Sequence, residues 1–196
     1  MTWTHTSRGR ALDLLDPKAD DIDLDEVALA LSNQCRYAGC IRHFYSVAEH
    51  CVLLARWLGA RGCSRDVQLA GLLHDGAEAY TGDITWPMQQ VLWGDDAIAK
   101  VVRERYRRCQ WRLDQLIAER AGLRDAGLMH CHAIKEADLR ILLDERAVLL
   151  TEPPPRPWPV ESEMGLTPLG VEIECLDPFR ARLAYVDELR RLGVRS

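Results

Sequence analysis

Long apolar runs, a basic excess and paired cysteines are all missing from this sequence, and each absence argues against a class of protein. No apolar stretch approaches the roughly 20 residues needed to cross a bilayer, so no membrane association is predicted. The 25 lysines and arginines are outnumbered by 30 aspartates and glutamates, and the net charge of -5 argues against duplex nucleic acid as a partner. The 7 cysteines form no CxxC pair, which favours reduced thiols over a disulfide framework.

The length and apolar content favour one folded unit. With 196 residues and 47% hydrophobic content, the chain can bury a substantial core, and we expect a single domain spanning residues 1–196. The first ten residues, MTWTHTSRGR, lack the apolar core of a signal peptide. A cytoplasmic protein is therefore expected, or one in the host cytoplasm if the gene is carried by a phage.

Periodic apolar positions predict an all-α fold. Helices are expected over about 24–35, 47–59, 65–80, 96–121 and 133–150. The second of them should begin with a capping box, in which the side chains of Ser46 and Glu49 each accept from a free amide of the first turn. Alternating strand patterns are scarce, and GVEIEC at 170–175 is the single short candidate.

The tail has a different character. PPPRPWP, at 153–159, cannot continue a helix and predicts a stiff, extended connection. Asp177 followed by Pro178 is typical of a helix start, and the apolar residues after it predict a closing amphipathic helix.

Ionisable side chains interrupt the apolar stripes of three predicted helices. In LAGLLHDGAEAYTGD, at 69–83, His74 and Glu78 are four apart and should share a helix face, with Asp75 at its edge. His50 lies in the apolar stripe of the second helix, and Asp138 lies in that of the fifth. A single buried histidine is usually a hydrogen-bonded core residue, but three helices that each direct such a group inward favour a shared site.

The convergence predicts a metal centre. His50, His74, Asp75 and Asp138 would offer two nitrogen and two carboxylate ligands, a set suited to Mn²⁺, Co²⁺, Zn²⁺, Fe²⁺ or Ni²⁺. Open positions on such an ion could hold water and a phosphate oxygen, the arrangement for hydrolysis. Glu78 is then the candidate for proton transfer, and Asp83 could orient the water or hold a second ion such as Mg²⁺.

These residues resemble the H…HD…D signature of the HD-domain phosphohydrolase superfamily, whose members are all-helical metalloenzymes that act mostly on nucleotides. RYAGCIRHFYSVAEH, HDGAEAYTGD and KEAD are similar to segments of bacterial 5′-deoxynucleotidases and, especially, of phage dATP triphosphohydrolases. SRGRALDLLDP and the late PPPRPWP also resemble the phage group, so the likeness covers nearly the whole chain.

The resemblance implies roles by position. It makes His50, His74, Asp75 and Asp138 the metal ligands, and Glu78 and Asp83 the catalytic acidic pair. Arg36 matches an arginine that contacts substrate phosphate; the alternative is a charge that answers a helix dipole.

Three further residues are assigned to substrate binding with alternatives left open. Tyr37 matches an aromatic residue near the sugar or base. Lys135 would neutralise phosphate or pair with a surface carboxylate, and Trp86 would stack on a base or pack against the protein. The chain departs from the family pattern at Cys40, where histidine is frequent, and at Gly76, where alanine is usual.

The resulting hypothesis is a metal-dependent hydrolase that removes 5′ phosphate from deoxynucleotides, with dATP as the leading substrate and release of triphosphate as the leading reaction. A 5′-nucleotidase acting on deoxynucleoside monophosphates is one alternative. A nucleotide-sensing module without turnover is another, since a fold does not determine a function. Relatives commonly form dimers or larger assemblies, so a homo-oligomer is also expected.

Overall fold

Helices supply nearly all of the regular structure in the computed structural model, which describes residues 1–151 and 154–194. In chain order they are α1 (Leu24–Asn33), α2 (Val47–Ala60), α3 (Arg65–Leu73), α4 (Glu78–Thr81), α5 (Trp86–Leu92), α6 (Ala97–Ala121), α7 (His132–Leu149), α8 (Pro159–Ser162) and α9 (Pro178–Arg191). Short 3₁₀ turns occupy Ala19–Asp21, Arg36–Gly39 and Ala126–His130. The all-α prediction is confirmed.

Side-chain caps explain where several helices begin. Ser46, Ser64 and Asp96 each accept a hydrogen bond from the backbone amide three residues later, at the starts of α2, α3 and α6. Asp177 accepts from two amides at the start of α9, and Pro178 occupies the first helical position as predicted.

The predicted capping box at α2 is only half right. Ser46 does accept from the Glu49 amide at 3.1 Å. The Glu49 carboxylate does not return to residue 46, because it is taken by a distant segment: it accepts from the amides of Glu174, Cys175 and Leu176 at 2.7 to 3.0 Å. A buried carboxylate with three donors is better satisfied than one with a single capping amide.

The predicted third helix is broken in two. α3 ends at Leu73, a turn follows, and α4 begins at Glu78. The His74 Nδ1 donates to the carbonyl oxygen of Gly71 at 2.8 Å, which is the acceptor that a continued helix would offer to the amide of Asp75. His74 and Glu78 therefore do not share one helix face.

Other local predictions also differ from the structure. A hairpin that the sequence did not predict pairs β1 (Trp3–His5) antiparallel with β2 (Ala11–Asp13). Residues 170–175 form no strand: the amides of Glu174 and Cys175 bind Glu49, and the Gly170 amide binds Asp144. In the Pro-rich connection, residues 154–158 are non-helical and Pro159 begins α8, while Pro153 lies outside the described residues.

The core forms around α2. This helix packs against α1, α3, α7 and α9, and its buried apolar residues join one cluster that runs from Leu12 to Val194. α6 joins that cluster only with its C-terminal half, from Leu113 to Ala121; in its N-terminal half Ala99 is buried, whereas Ile98 and Val101 are exposed. None of the helices in the described part of the chain is long and apolar enough to span a membrane.

Candidate metal centre

Two histidines and an aspartate meet where α2 faces the turn after α3. The Nε2 atoms of His50 and His74 lie 3.4 Å apart. Asp75 presents Oδ1 3.2 Å from His74 Nε2 and Oδ2 3.7 Å from His50 Nε2. One potential ligand atom from each residue lies within 4.8 Å of the other two, so this group could hold a metal ion.

Asp138 reaches the same point from α7. Its Oδ1 lies 3.2 Å from His50 Nε2 and 3.9 Å from His74 Nε2. Its side chain is 40% exposed, whereas that of His50 is completely buried. The structure thus brings together the four side chains that the sequence predicted as ligands, with Asp138 on the side open to solvent.

The hydrogen bonds of the two rings determine which nitrogens face the cluster. His50 Nδ1 lies 2.7 Å from Glu145 Oε1, and His74 Nδ1 lies 2.8 Å from the Gly71 carbonyl oxygen. A carbonyl oxygen and a carboxylate oxygen can only accept, so both Nδ1 atoms carry the proton. In the neutral rings both Nε2 atoms are then acceptors.

The centre is therefore a convergence of acceptors without a matching donor. Two Nε2 lone pairs and the carboxylates of Asp75 and Asp138 face one another within 3.2 to 3.9 Å. Such a group is stable only if protons or a cation lie between its members. Two imidazoles and two carboxylates are the ligand chemistry of a divalent transition ion, so the residues present fit one.

The pKa directions agree with this description. Burial would lower the pKa of His74, but Asp75, then Cys51 and Asp138, outweigh burial and raise it well above its usual value. Burial and Arg36 would lower the pKa of His50, yet Glu145 and Asp138 raise it overall. Protons and metal ions compete for the same lone pairs, so this electrostatic preference for protonated rings is also a preference for a cation.

Arg36 lies beside the cluster, at the start of the 3₁₀ turn before α2. Its side chain is 11% exposed, with one terminal nitrogen 3.7 Å from Asp75 Oδ2 and the other 3.3 Å from Glu145 Oε2. Burial would lower the pKa of Arg36, but Glu145, together with Tyr37, Asp75 and Asp138, outweighs burial and raises it, so the guanidinium stays charged. Within the described residues its Nε is buried without a hydrogen-bond partner.

Glu78 is the first residue of α4 and lines the cavity with His74, Asp75 and Asp138, and Asp83 follows two residues after the helix ends. Gln34 ties this segment in place, because its side chain donates to the Glu78 carbonyl oxygen at 2.8 Å and accepts from the Asp83 amide at 3.2 Å. Glu78 Oε2 is buried and finds no partner among the described side chains and backbone. Burial, Asp75 and Asp83 together raise the pKa of Glu78 well above its usual value, and burial raises that of Asp83.

The other sequence-predicted residues lie at different distances from this centre. Lys135 is exposed and lines a cavity of about 230 Å³ beside the cluster. Tyr37 turns its hydroxyl inward and donates to Glu145 Oε2 at 2.5 Å. Trp86 is 63% exposed at the start of α5 and is not part of the cavity wall. The cavity is lined by His74, Asp75, Ala77, Glu78, Gln110, Asp114, Met129, His130, Ile134, Lys135 and Asp138.

Two acidic residues at the site were missed by sequence reasoning. Glu145 is completely buried behind His50. Asp114 is 2% exposed and accepts from His130 Nε2 at 2.9 Å on the cavity wall. The spacing held a signal for Glu145, since it follows Asp138 by seven residues and so lies two helical turns along the same face.

Gly76, where the pattern that the sequence resembles has alanine, lies in the turn that follows α3 and holds Asp75. An added Cβ would lie 2.9 Å from the Leu73 carbonyl oxygen and 3.2 Å from Ile117 Cδ1. The Leu73 carbonyl oxygen belongs to the backbone of the turn and Ile117 belongs to α6, so alanine at this position would require both to shift.

Comparison with known proteins gives relatives but no activity. No family model matches the sequence. The chain is 35% identical over 146 residues to a protein of Escherichia coli (strain K12) named "Uncharacterized protein YfdR", a match that covers 74% of this chain and 71% of that protein. It is 38% identical over 95 residues to "Uncharacterized protein RCAP_rcc00048" of Rhodobacter capsulatus, covering 46% of this chain and 48% of that protein.

Proposed function

This chain belongs to the family of Escherichia coli YfdR, and we propose that it is a metal-dependent phosphohydrolase of the HD-domain type that removes 5′ phosphate from deoxynucleotides. The leading substrate is dATP, with release of triphosphate. We further propose a cytoplasmic enzyme that works as an assembly of several copies.

One observation carries the proposal: four acceptors converge with no donor among them, beside a buried arginine and a buried free carboxylate. The acceptors come from His50, His74, Asp75 and Asp138. A divalent ion held there would supply a Lewis acid that polarises a phosphoryl oxygen and acidifies water. Mn²⁺, Co²⁺, Zn²⁺, Fe²⁺ and Ni²⁺ suit the ligands, and Asp83 is the candidate to hold a second ion such as Mg²⁺.

Arg36 supports a phosphate substrate. It is held by two carboxylates through its terminal nitrogens, which leaves Nε as a buried donor without a partner. A phosphoryl oxygen would satisfy that donor, and the charge of the guanidinium would offset the negative charge that grows on the oxygens during the reaction. Lys135, on the wall of the adjoining cavity, would add a second cation for a phosphate chain.

Glu78 supports hydrolysis over simple binding. Its Oε2 is buried and unpartnered within the described structure, and its pKa is raised, both of which suit a group that accepts a proton from attacking water and returns it to the leaving oxygen. A module that only senses nucleotides has no need of such a group. Asp83, whose pKa is also raised by burial, would orient the same water.

The test compares substrates and variants in one assay. Protein stripped of metal with a chelator is supplied with Mn²⁺ or Co²⁺ and incubated with dATP or dAMP, and the products are identified by anion-exchange chromatography. Release of free triphosphate from dATP supports the leading reaction. Stepwise release of phosphate supports dATP as the substrate but not triphosphate as the product, and activity confined to dAMP favours the 5′-nucleotidase. Glu78→Gln should lower kcat by about 10²- to 10⁴-fold while nucleotide binding persists.

The matched control is Glu188→Gln. Glu188 is also a buried carboxylate, but it lies on α9 and pairs with Arg56 and Arg191. This variant should keep wild-type turnover, which excludes a general effect of neutralising a buried glutamate. Binding of nucleotide with no turnover under any of these ions would favour the sensing module and overturn the proposed reaction.

A further inference from the structure

Glu145 is the most deeply buried carboxylate near the candidate metal centre, and it is not among the residues that line the cavity. It is completely buried on α7 and accepts from three different side chains. His50 Nδ1 lies 2.7 Å from Oε1, the Tyr37 hydroxyl lies 2.5 Å from Oε2, and an Arg36 terminal nitrogen lies 3.3 Å from Oε2. Its two oxygens thus connect His50, a predicted metal ligand, with Arg36, which is predicted to bind substrate phosphate.

A purely structural role does not account well for this placement. Burying a carboxylate costs several kcal/mol before its partners compensate, and an apolar residue of similar volume is often as stable or more so. Tyr45, Leu149 and Ile173 form a buried apolar cluster against which Tyr37 also packs, so this region already offers apolar surroundings. A negative charge is needed here only if the orientation that it imposes on the neighbouring side chains matters.

The bond to His50 has a specific chemical consequence. An acceptor at Nδ1 holds the proton on that nitrogen, fixes the ring plane and leaves Nε2 as a lone pair that faces His74 and Asp75. Without it, the ring could turn or carry its proton on Nε2, which would place a donor inside the cluster. The charge of Glu145 also makes Nε2 a stronger electron donor to a cation.

The bond to Arg36 acts on the other half of the site. Glu145 and Asp75 hold the two terminal nitrogens of the guanidinium, and Tyr37 stacks near it with the guanidinium carbon 5.7 Å from the ring centroid. Removing one of two anionic anchors would let the side chain rotate and lose the direction of its free Nε.

We propose that Glu145 is a positioning residue, which sets the tautomer of His50 for metal binding and the direction of Arg36 for phosphate binding at the same time. This inference rests on the proposed function, because it assigns Glu145 a role in holding the metal and phosphate. It predicts that one substitution weakens both ion affinity and substrate binding.

The first experiment measures ion affinity rather than activity. Zn²⁺ and Mn²⁺ affinities of the wild type, Glu145→Gln and Glu145→Asp are measured by competition with a chelator. Glutamine keeps the shape but cannot accept from all three donors, and aspartate keeps the charge but is one methylene shorter. Both should bind the ions about 10- to 100-fold more weakly, the usual cost of losing an outer partner of a ligand. Glu188→Gln, which removes an equally buried charge elsewhere, should bind as the wild type does.

The second experiment reads the ring directly. In Zn²⁺-loaded protein labelled with ¹⁵N-histidine, the wild-type His50 should show a protonated Nδ1 and a metal-bound Nε2. This measurement needs no variant, so it decides the tautomer even if Glu145→Gln does not fold. A metal-bound Nδ1 or a protonated Nε2 in His50 would overturn the proposal.

Nucleotide hydrolysis completes the test. At saturating ion, Glu145→Gln should raise KM for the nucleotide as well as lower kcat, through Arg36, whereas a lower fraction of folded protein would reduce kcat alone. Equal ion affinity and equal KM in wild type and Glu145→Gln would overturn the positioning role and leave the proposed function standing. A wild type that binds none of the ions would overturn the proposed function, and the role of Glu145 with it.

Discussion

Adjacent residues on α2 face two buried polar neighbourhoods of opposite kinds. Glu49 is 2% exposed and its carboxylate accepts from three consecutive backbone amides, those of Glu174, Cys175 and Leu176. His50 is completely buried, and its Nε2 faces another imidazole nitrogen and two carboxylates. The first neighbourhood has a donor for each acceptor. In the second the acceptors face one another, and the Arg36 guanidinium approaches the described members of this group only at Asp75, at 3.7 Å.

This contrast separates a structural polar group from a candidate site better than burial does. The three amides form a concave nest for one anion, and Cys175 has a φ of 56°, a left-handed conformation that such a nest requires of one of its residues. Nothing more is needed there. Around His50 the described residues place no donor between the acceptors, and a cation from outside could complete the arrangement.

The largest effect is expected when an acceptor is removed from the His50 neighbourhood. At an ion concentration of 100 times Kd, a bound cation stabilises the wild type by about 2.7 kcal/mol, or roughly 5 to 10 °C in Tm. Asp75→Asn should lose this increase, together with any nucleotide hydrolysis, because the cluster loses one of its charges. Thermal unfolding with Mn²⁺ and with EDTA measures it.

Asp187→Asn is the control for that measurement. Asp187 lies on α9 with its side chain 67% exposed, so its loss should leave the ion-dependent rise in Tm intact. If Asp75→Asn kept the full rise in Tm, the ion would be bound elsewhere. The His50 neighbourhood would then not be the one that a cation completes.

Disruption of the neighbourhood of Glu49, in which every acceptor has a donor, should lower the stability of the fold without affecting ion binding. Glu49→Ala leaves three backbone donors without their acceptor, and we expect a loss of about 3 kcal/mol in the free energy of unfolding. Ion affinity should stay within about twofold of the wild type, since Glu49 contacts none of the cluster. Urea unfolding without metal, and a chelator competition, measure the two quantities.

The exposed Glu172 provides the comparison for Glu49. Glu172→Ala removes a glutamate just before the three residues whose amides bind Glu49, at a position where the side chain is exposed. It should change the free energy of unfolding by less than about 0.5 kcal/mol. A Glu49→Ala protein with normal stability and tenfold weaker ion binding would reverse the assignment of the two neighbourhoods.

Much of the fold could be predicted from local signals. Ser46, Asp96 and Asp177 are caps whose effect depends on the amides of the next turn, so the starts of α2, α6 and α9 follow from the sequence. The end of α3 could not be predicted, because it depends on a His74 side chain that bonds to the Gly71 carbonyl oxygen. Helical periodicity does not register such competition between side chain and backbone.

The candidate site shows the same division. The meeting of His50, His74, Asp75 and Asp138 could be predicted, because these residues lie in or at the edge of the apolar stripes of three predicted helices, and buried ionisable groups need one another. Glu145 was missed because a glutamate in a charged helix is usually solvated. Its spacing from Asp138 indicates a shared helix face, but the fold is needed to show that it lies behind His50. Glu49 was misassigned for a related reason: its donors come from a segment 125 residues away.

The smallest expected effect concerns pH, and its sign differs between the two glutamates. Burial raises the pKa of Glu49 more than its backbone hydrogen bonds lower it. The part of the stability that comes from this shift in pKa is then fully present below the ordinary value of 4.5 and is lost as the pH rises through the higher, folded pKa. For Glu145, burial would raise the pKa, but Arg36 and His50 outweigh it and hold the pKa below the same value. That contribution is present above 4.5 and is lost as the pH falls through the lower, folded pKa.

Unfolding in urea at closely spaced pH values, with EDTA present, distinguishes the two. Glu49→Gln should remove a decline of stability on the neutral side of pH 4.5, and Glu145→Gln should remove a decline on the acid side. Each change in slope is bounded by one proton, about 1.4 kcal/mol per pH unit. If both variants altered stability on the same side of pH 4.5, the pKa values of the two carboxylates would be shifted in the same direction. The amide nest and the acceptor cluster would then not differ in how they affect a carboxylate charge.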